Sequence, residues 1–267
     1  MKKSQSILLL MFLPFVLSAQ IDTLRINRSF AGKCWQDTKT AFTAPAHWDS
    51  RDWTTFGVVT ASTASLFLVD EPMRDVFQDW HDEWGSSGDK FTANFLEPWG
   101  GEYSLALIGG FMGYGLLAKD QKSQSTALLA TESFILASLI VRVPKTLIGR
   151  ARPDAEPDIS AFKFEGPING TSLPSGHTTA VFAVASVIAN QYRDHLIVPI
   201  ISYSIATATG LSRIYDNKHW FSDVVAGAAI GITVGNLVSG RKNKDKKLAV
   251  IPFSTGRLQG VKLAYNL

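Results

Sequence analysis

The sequence predicts an all-α protein: a membrane-embedded helical bundle of about six core helices, followed by a short C-terminal β-hairpin. Six stretches of 13 to 18 residues are apolar around most of a helix, which is typical of helices in a protein core or in a membrane. The last residues, 248–267, alternate instead and break at a Ser-Thr-Gly turn, which favours a hairpin. The six apolar stretches are 55–69, 103–118, 126–143, 178–190, 196–211 and 224–239.

The first 19 residues have the layout of a secretory signal peptide. Two lysines precede an apolar run, 7–17, which ends in a small Ser-Ala pair. We therefore expect a signal peptide over 1–19, a helical domain over 20–247 and the hairpin tail over 248–267. Residues 20–54 show no clear period, which predicts a loop with a short helix.

Composition excludes several kinds of function. The chain is 46% apolar and 18% charged, and its net charge of +3 is too small to predict a nucleic-acid partner. The single cysteine, Cys34, can form neither a disulfide within the chain nor a cysteine metal site, so we interpret it as an ordinary buried thiol. No protein partner is predicted.

The length and the composition of the apolar stretches favour different environments. At 13 to 18 residues they are shorter than the roughly 20 that cross a bilayer, which favours a soluble core. Their small residues suit close helix packing in lipid, and five basic residues in 241–247 resemble a cytoplasmic anchor after a last span. We favour the membrane arrangement, with a soluble periplasmic domain as the alternative.

Loop charges predict the orientation. Segment 70–102 carries nine acidic and two basic residues, so the positive-inside rule puts it outside and 241–247 in the cytoplasm. Six spans after a removed signal peptide contradict this orientation, whereas five satisfy it if 55–69 does not cross. We therefore expect an inner-membrane protein of the bacterial cell envelope with 70–102 in the periplasm. The tryptophans of that segment predict either a lid at the lipid interface or a small packed subdomain.

The stretch 211–223 carries a candidate reactive group. Arg213 is followed six residues later by His219, and Asp223 comes four residues after that, at helical spacing. A carboxylate on the same helical face accepts the Nδ1 proton of the imidazole and leaves Nε2 free as a base or nucleophile.

Two further stretches predict an anion site. Residues 145–153 place Lys145 and two arginines just before a proline, and 174–180 open an apolar run with Ser175, Gly176 and a second histidine, His177. Phosphate binds to several fixed cations with forked donors, and a Ser-Gly turn at a helix start adds backbone N–H groups.

Together the three stretches resemble the signature of the type 2 phosphatidic acid phosphatase family, which includes bacterial acid phosphatases and vanadium haloperoxidases. That signature is a lysine, six residues and Arg-Pro; then Pro-Ser-Gly-His; then Ser-Arg, five residues, His, three residues and Asp. The sequence fits every position between Lys145 and Asp223, which is about a third of the chain.

The resemblance implies a metal-independent hydrolase that acts on the terminal phosphate of a lipid phosphate or lipid diphosphate through a phosphohistidine. His219 would attack phosphorus, Asp223 would hold its ring, and His177 would protonate the leaving group and then activate water. Neither a metal nor a cofactor is expected, and vanadate should inhibit as a phosphate mimic. The implied phosphate-binding residues are Lys145, Arg152, Ser175, Gly176 and Arg213.

Three other functions compete with this one. A soluble periplasmic acid phosphatase of broad specificity would use the same residues, and so would a vanadium-dependent haloperoxidase, although the chain is short for that group. The complete signature argues against a non-enzymatic polytopic protein such as a transporter.

Several polar residues are left outside the predicted site. Arg150 lies two residues before Arg152 and is as readily explained by headgroups or solvent as by catalysis. Glu132, inside an apolar run, predicts a structural hydrogen bond to a neighbouring helix. The remaining histidines, which we interpret as surface or locally bonded side chains, are His47, His81 and His195.

Overall fold

The computed structural model describes the backbone of residues 28–240, 248–255 and 258–265, and the side chains of 30–240. Up to residue 240 the described chain consists of helices and loops, which confirms the all-α prediction. The α-helices are α1 (Arg28–Thr43), α2 (Ser50–Ser65), α3 (Phe67–Phe91), α4 (Glu102–Leu117), α5 (Gln121–Ile140), α6 (Arg142–Ile148), α7 (Gly176–Gln191), α8 (Ile197–Tyr215) and α9 (Phe221–Val238).

At the C-terminus only the course of the backbone is described, as two antiparallel strands, β1 (Leu248–Thr255) and β2 (Leu258–Tyr265). The predicted hairpin tail is not tested beyond this backbone course and stays a prediction. The signal peptide 1–19 and the basic stretch 241–247 lie outside the described residues.

Helix α7 is the central helix of the bundle. It is buried along nearly its whole length and packs against α5, α8 and α9. The largest cluster of buried apolar side chains lies between α4, α5, α7 and α9, with Leu129, Val187 and Val238 among its members. The start of α7, which carries Gly176 and His177, is therefore held by the core.

A row of glycines lets α9 approach the backbone of α7 closely. Gly227, Gly231 and Gly235 recur every four residues and so share one face of α9. A Cβ at Gly231 would lie 2.5 Å from the carbonyl oxygen of Thr179, and one at Gly235 would lie 2.7 Å from that of Ala183. Small residues at this spacing are typical of tightly packed helix pairs. The contact fixes the start of α7 against the start of α9.

Segments 20–54 and 70–102 are more helical than the sequence analysis predicts. The first contains the 16-residue helix α1 rather than a short helix in a loop. Most of the second belongs to α3, so its description as a loop is wrong; α3 is interrupted at Gly85, whose φ is +50°. The acidic residues lie mainly on the exposed face of α3, whereas Phe77 packs inward.

Three described segments are long and apolar enough to cross a membrane: Gln121–Ile148, Ile197–Tyr215 and Phe221–Val238. They support membrane association. The other two predicted spans correspond to α4 and α7, which have 16 residues each and are shorter than the roughly 20 of a comfortable span. The five-span arrangement therefore stays a prediction.

Candidate active site

The three motifs meet at the N-terminal end of α7. The backbone N–H of Ser175 donates to the carbonyl oxygen of Asp223 at 2.9 Å, which joins the start of α7 to the start of α9. Ser172, just before α7, donates its hydroxyl to Oδ2 of Asp223. Lys145 Nζ donates to the carbonyl oxygens of Thr171 and Ser172, the latter at 3.4 Å.

Lys145 and Arg152 are brought together by the end of α6. The helix stops at Gly149, whose φ is +60° and where a Cβ would overlap the carbonyl oxygen of Gly166. The chain then turns back, and Arg152 Nε donates to Thr171 Oγ1 at 3.2 Å. Both cations therefore lie against the residues that precede α7.

Ser175 and Gly176 form the N-terminus of α7. Ser175 is the N-cap, and its hydroxyl oxygen accepts hydrogen bonds from the N–H and the hydroxyl of Thr178, at 3.5 and 2.9 Å. The proton of the Ser175 hydroxyl is thus available to another acceptor. The N–H groups of the first turn, including that of Gly176, and the positive end of the helix dipole favour a bound anion at this position.

His177 lies on the turn Glu97–Gly100 that precedes α4. A Cβ at Gly100 would overlap the imidazole, so the ring depends on glycine at this position. Burial lowers the pKa of His177, and the positive charge of Arg213 lowers it further, whereas the carboxylate of Glu97 raises it. The Nε2 atom lies 3.9 Å from Oε1 of Glu97.

Arg213 is buried and bound by two carboxylates. Its Nη1 lies 2.8 Å from Oε1 of Glu97, and its Nη2 donates to Oδ2 of Asp216. The Glu97 side chain is 42% exposed, so it can turn away into solvent, whereas Arg213 is 3% exposed and is held in place. Neither carboxylate was predicted from the sequence.

His219 is buried and neutral at physiological pH. Burial lowers its pKa to about 4; Asp223 raises the pKa, and the charges of Lys145 and Arg152 lower it. The Nδ1 atom lies 3.6 Å from Oδ2 of Asp223, which is longer than a hydrogen bond. The same two cations lower the pKa of His177, so both histidines face one cationic site.

The prediction that His219 and Asp223 share a helical face is wrong. Helix α9 begins at Phe221, so His219 precedes it, and Asp223 belongs to its first turn. The Oδ2 atom of Asp223 accepts instead from the backbone N–H of Trp220 at 3.0 Å, the pattern of a helix cap. A shift of well under 1 Å would bring Nδ1 of His219 within hydrogen-bond distance, as often happens when a substrate binds.

Arg150, which the sequence analysis leaves outside the site, is fully buried behind Asp223. Its Nη1 lies 2.7 Å from Oδ1 of Asp223, and its Nη2 lies 2.6 Å from Oδ2 of Asp70 at the start of α3. Solvent and headgroups are therefore excluded as partners of Arg150. The only sequence signal for Asp70 is its position directly after an apolar run, where Glu71 follows it.

Glu132 and His81, which lie outside the predicted site, have the kinds of partner that the sequence predicts. Glu132 of α5 is 3.4 Å from Lys33 of α1, a contact between helices as predicted. His81 pairs with Asp89 at 3.1 Å, a local contact within α3. Among the residues that the structure describes, no group of three or more His, Cys, Asp or Glu side chains is arranged to hold a metal ion. Metal independence itself stays a prediction.

Comparison with known proteins identifies the family. A model of the PAP2 superfamily matches residues 126–246, which begin in α5 and include all three motifs. A decaprenylphosphoryl-5-phosphoribose phosphatase of Mycobacterium tuberculosis is 30% identical over 147 residues, 54% of this chain and 75% of that protein. The chain belongs to the PAP2 superfamily. The resemblance predicted from the motifs is thereby confirmed.

Two further relatives of this PAP2 protein are named lipid A 1-phosphatase. The one from Porphyromonas gingivalis is 38% identical over 99 residues, 37% of this chain and 20% of that protein. The one from Rhizobium etli is 33% identical over 141 residues, 48% of this chain and 57% of that protein. The chain thus spans about a fifth and just over half of the lengths of these two relatives.

Proposed function

We propose that the protein hydrolyses the terminal phosphate of a lipid phosphate or lipid diphosphate through a phosphohistidine, without a metal ion. The observation that carries this proposal is the meeting of three cations, Lys145, Arg152 and Arg213, with two histidines at the N-terminus of α7. Three fixed positive charges and a helix N-terminus match the charge of a phosphoryl group, which is stabilised most strongly in the transition state.

In the first step Arg213 exchanges Glu97 for oxygens of the substrate phosphate. The Nε2 lone pair of His219 then forms a bond to phosphorus while the bond between phosphorus and the leaving oxygen breaks. His177, as an imidazolium, donates its proton to that oxygen, which is worth roughly a hundredfold to ten-thousandfold in rate. The phosphorylated ring of His219 is positive, and the carboxylate of Asp223 stabilises it.

In the second step water releases the phosphate. Neutral His177 accepts a proton from the water as the oxygen attacks phosphorus, and the bond between phosphorus and Nε2 of His219 breaks. Both histidines then return to their initial protonation states, so the cycle balances. Glu97 returns to Arg213 when phosphate leaves.

Two findings favour a lipid as the substrate. The relatives from Porphyromonas gingivalis and Rhizobium etli are named for lipid A, and the one from Mycobacterium tuberculosis for a decaprenyl compound. Three described segments are apolar and long enough to cross a membrane. A site at the membrane surface that opens to the periplasm would receive such a substrate laterally from the bilayer.

The test is phosphate release from a lipid phosphate, a lipid diphosphate and a soluble phosphomonoester, each with and without vanadate and after dialysis against a chelator. We expect turnover of a lipid substrate, inhibition by vanadate and no effect of the chelator. Loss of activity on chelation with recovery on added magnesium or zinc would contradict the cationic mechanism. Preference for the soluble ester would favour the acid phosphatase, and vanadate-dependent halide oxidation would favour the haloperoxidase.

A further inference from the structure

Behind the proposed nucleophile lies a chain of three fully buried charged side chains, Asp70, Arg150 and Asp223. We propose that Asp70 and Arg150 are positioning residues for His219, because together they set the charge and the orientation of the carboxylate that faces its ring. The proposal rests on the proposed function, in which His219 becomes positively charged during the reaction.

Short contacts fix these three side chains. Arg150 Nη2 lies 2.6 Å from Asp70 Oδ2, and Arg150 Nη1 lies 2.7 Å from Asp223 Oδ1. Ser222, next to Asp223, donates its backbone N–H and its hydroxyl to Asp70 at 2.8 and 2.6 Å. Asp70 therefore holds both the guanidinium and the first turn of α9.

Arg150 is also held from its other sides. Its Nε donates to the carbonyl oxygen of Ala161 at 2.9 Å, and its guanidinium lies 4.0 Å from the centre of the Phe67 ring. With the guanidinium fixed in this way, Asp223 cannot rotate without losing its ion pair. The orientation of the carboxylate towards His219 is thus set before substrate arrives.

The charges of Asp70, Arg150 and Asp223 favour a positively charged His219 ring. Two carboxylates and one guanidinium leave one net negative charge beside the neutral ring. Phosphorylation of Nε2 makes the ring positive, so the ring and the three buried side chains together carry no net charge at that step. This neutrality is favourable where the dielectric constant is low. Without the carboxylate of Asp70, Arg150 would neutralise Asp223 and the positive ring would lose this compensation.

The positive groups that act on His219 are Lys145 and Arg152. They oppose a positive ring, but the bound phosphate neutralises them. Asp70 and Arg150 do not belong to this clamp on the substrate. Changes at Asp70 should therefore lower kcat and leave KM nearly unchanged.

The experiment compares Asp70→Asn and Asp70→Glu with the wild type, and uses Asp79→Asn, an exposed carboxylate of the same helix, as the matched control. We expect Asp70→Asn to lower kcat about tenfold to a hundredfold, with KM within about twofold of the wild type. Asp70→Glu keeps the charge and should retain more activity than the Asn variant, although asparagine matches the shape of aspartate more closely. Asp79→Asn should behave as the wild type.

Some outcomes would overturn the proposal. One is a kcat of Asp70→Asn equal to that of Asp79→Asn. The other is a higher kcat for Asp70→Asn than for Asp70→Glu, because the shape of the side chain would then matter more than its charge. If Asp70→Asn does not fold, the double variant Asp70→Asn/Arg150→Gln replaces it, because it removes the ion pair of Asp70 and Arg150 as a unit and keeps one net negative charge, that of Asp223. Its loss of activity would come from the orientation of Asp223, which Arg150 no longer fixes. The expected kcat of that variant is at least about tenfold below the wild type with unchanged KM, and wild-type turnover would contradict the proposal.

The same experiment separates this proposal from the proposed function. If the wild type releases no phosphate from any of the three substrate classes, the proposed function fails. If the wild type is active and Asp70→Asn matches its control, only the role of Asp70 and Arg150 fails.

Discussion

Burial lowers the pKa of both candidate histidines, and different charged neighbours surround the two rings. His219 is buried beside two cations, so its pKa falls to about 4 and Nε2 is available as a nucleophile over most of the pH range. The pKa of His177 is lowered by burial and by Arg213, but Glu97 opposes this shift. The His219 ring is therefore suited to the proposed role of nucleophile, and His177 can act as the proposed acid only below the usual histidine pKa of about 6.5.

These pKa shifts predict a bell-shaped dependence of kcat/KM on pH for an alkyl phosphate. The rate should rise as His219 loses its proton near pH 4 and fall as His177 loses its proton, below about pH 6.5. The measurement is the initial rate of phosphate release from pH 3 to about pH 9. A rate that keeps rising through neutral pH would contradict the assignment of His177 as the acid.

The leaving group provides the control for this prediction. p-Nitrophenolate leaves without a proton, so the decline at higher pH should be much weaker for p-nitrophenyl phosphate. His177→Ala should slow formation of the intermediate from the alkyl ester far more than from the p-nitrophenyl ester. Equal losses on the two substrates would show that His177 is not the proton donor to the leaving oxygen.

The decisive contact between helices is the glycine face of α9 against the backbone of α7. It holds the starts of these two helices, which carry Gly176 and Asp223 of the predicted site, in a fixed relation. We predict that Gly231→Ala destabilises the protein by about 1–3 kcal/mol, because its Cβ would meet the Thr179 carbonyl oxygen at 2.5 Å and neither helix backbone can yield cheaply. The gain in helix propensity, about 1 kcal/mol, is smaller.

Thermal unfolding in detergent and kcat on a lipid phosphate measure the effect. Gly113→Ala in α4 is the matched control, because a Cβ there has no atom within 4 Å and should raise the melting temperature slightly. A Gly231→Ala variant as stable and as active as the Gly113→Ala variant would show that the close approach of α7 and α9 does not position the site.

The acidic segment 70–102 and the basic stretch 241–247 predict how the whole protein is oriented in the membrane. We predict that the site faces the periplasm. In a protein with Cys34 changed to Ser, a cysteine at the exposed position Ser86 should react with an impermeant thiol reagent in intact spheroplasts. A cysteine at Asn243, in the basic stretch, should react only after the membrane is opened.

Two results would change this arrangement. Labelling at both positions, with release of the protein by carbonate, would favour the soluble periplasmic alternative. Protection at Ser86 would place the site on the cytoplasmic side and would contradict the predicted orientation.

The sequence predicts those parts of the molecule that depend on neighbouring residues. The motifs put Lys145, His177 and His219 into short stretches, and apolar patterns predict α4, α5, α7, α8 and α9, but not α1 or most of α3. Contacts from distant elements leave no such pattern. Asp70 reaches Arg150 only because α3 packs beside α9, and Glu97 reaches Arg213 only because the turn before α4 packs against α8. The exact start of α9 also decides whether His219 lies on that helix, and helix ends are the least predictable feature of a sequence.

Trapping the phosphorylated enzyme tests directly whether His219 is the nucleophile. A lipid phosphate labelled with ³²P is mixed with the protein, the reaction is quenched in alkali within milliseconds, and the labelled peptide is mapped. We predict label that is stable in base and labile in acid, located at His219, absent in His219→Ala and present in His177→Ala with a p-nitrophenyl substrate. Label on His177, or turnover by His219→Ala at the wild-type rate, would show that His219 is not the nucleophile.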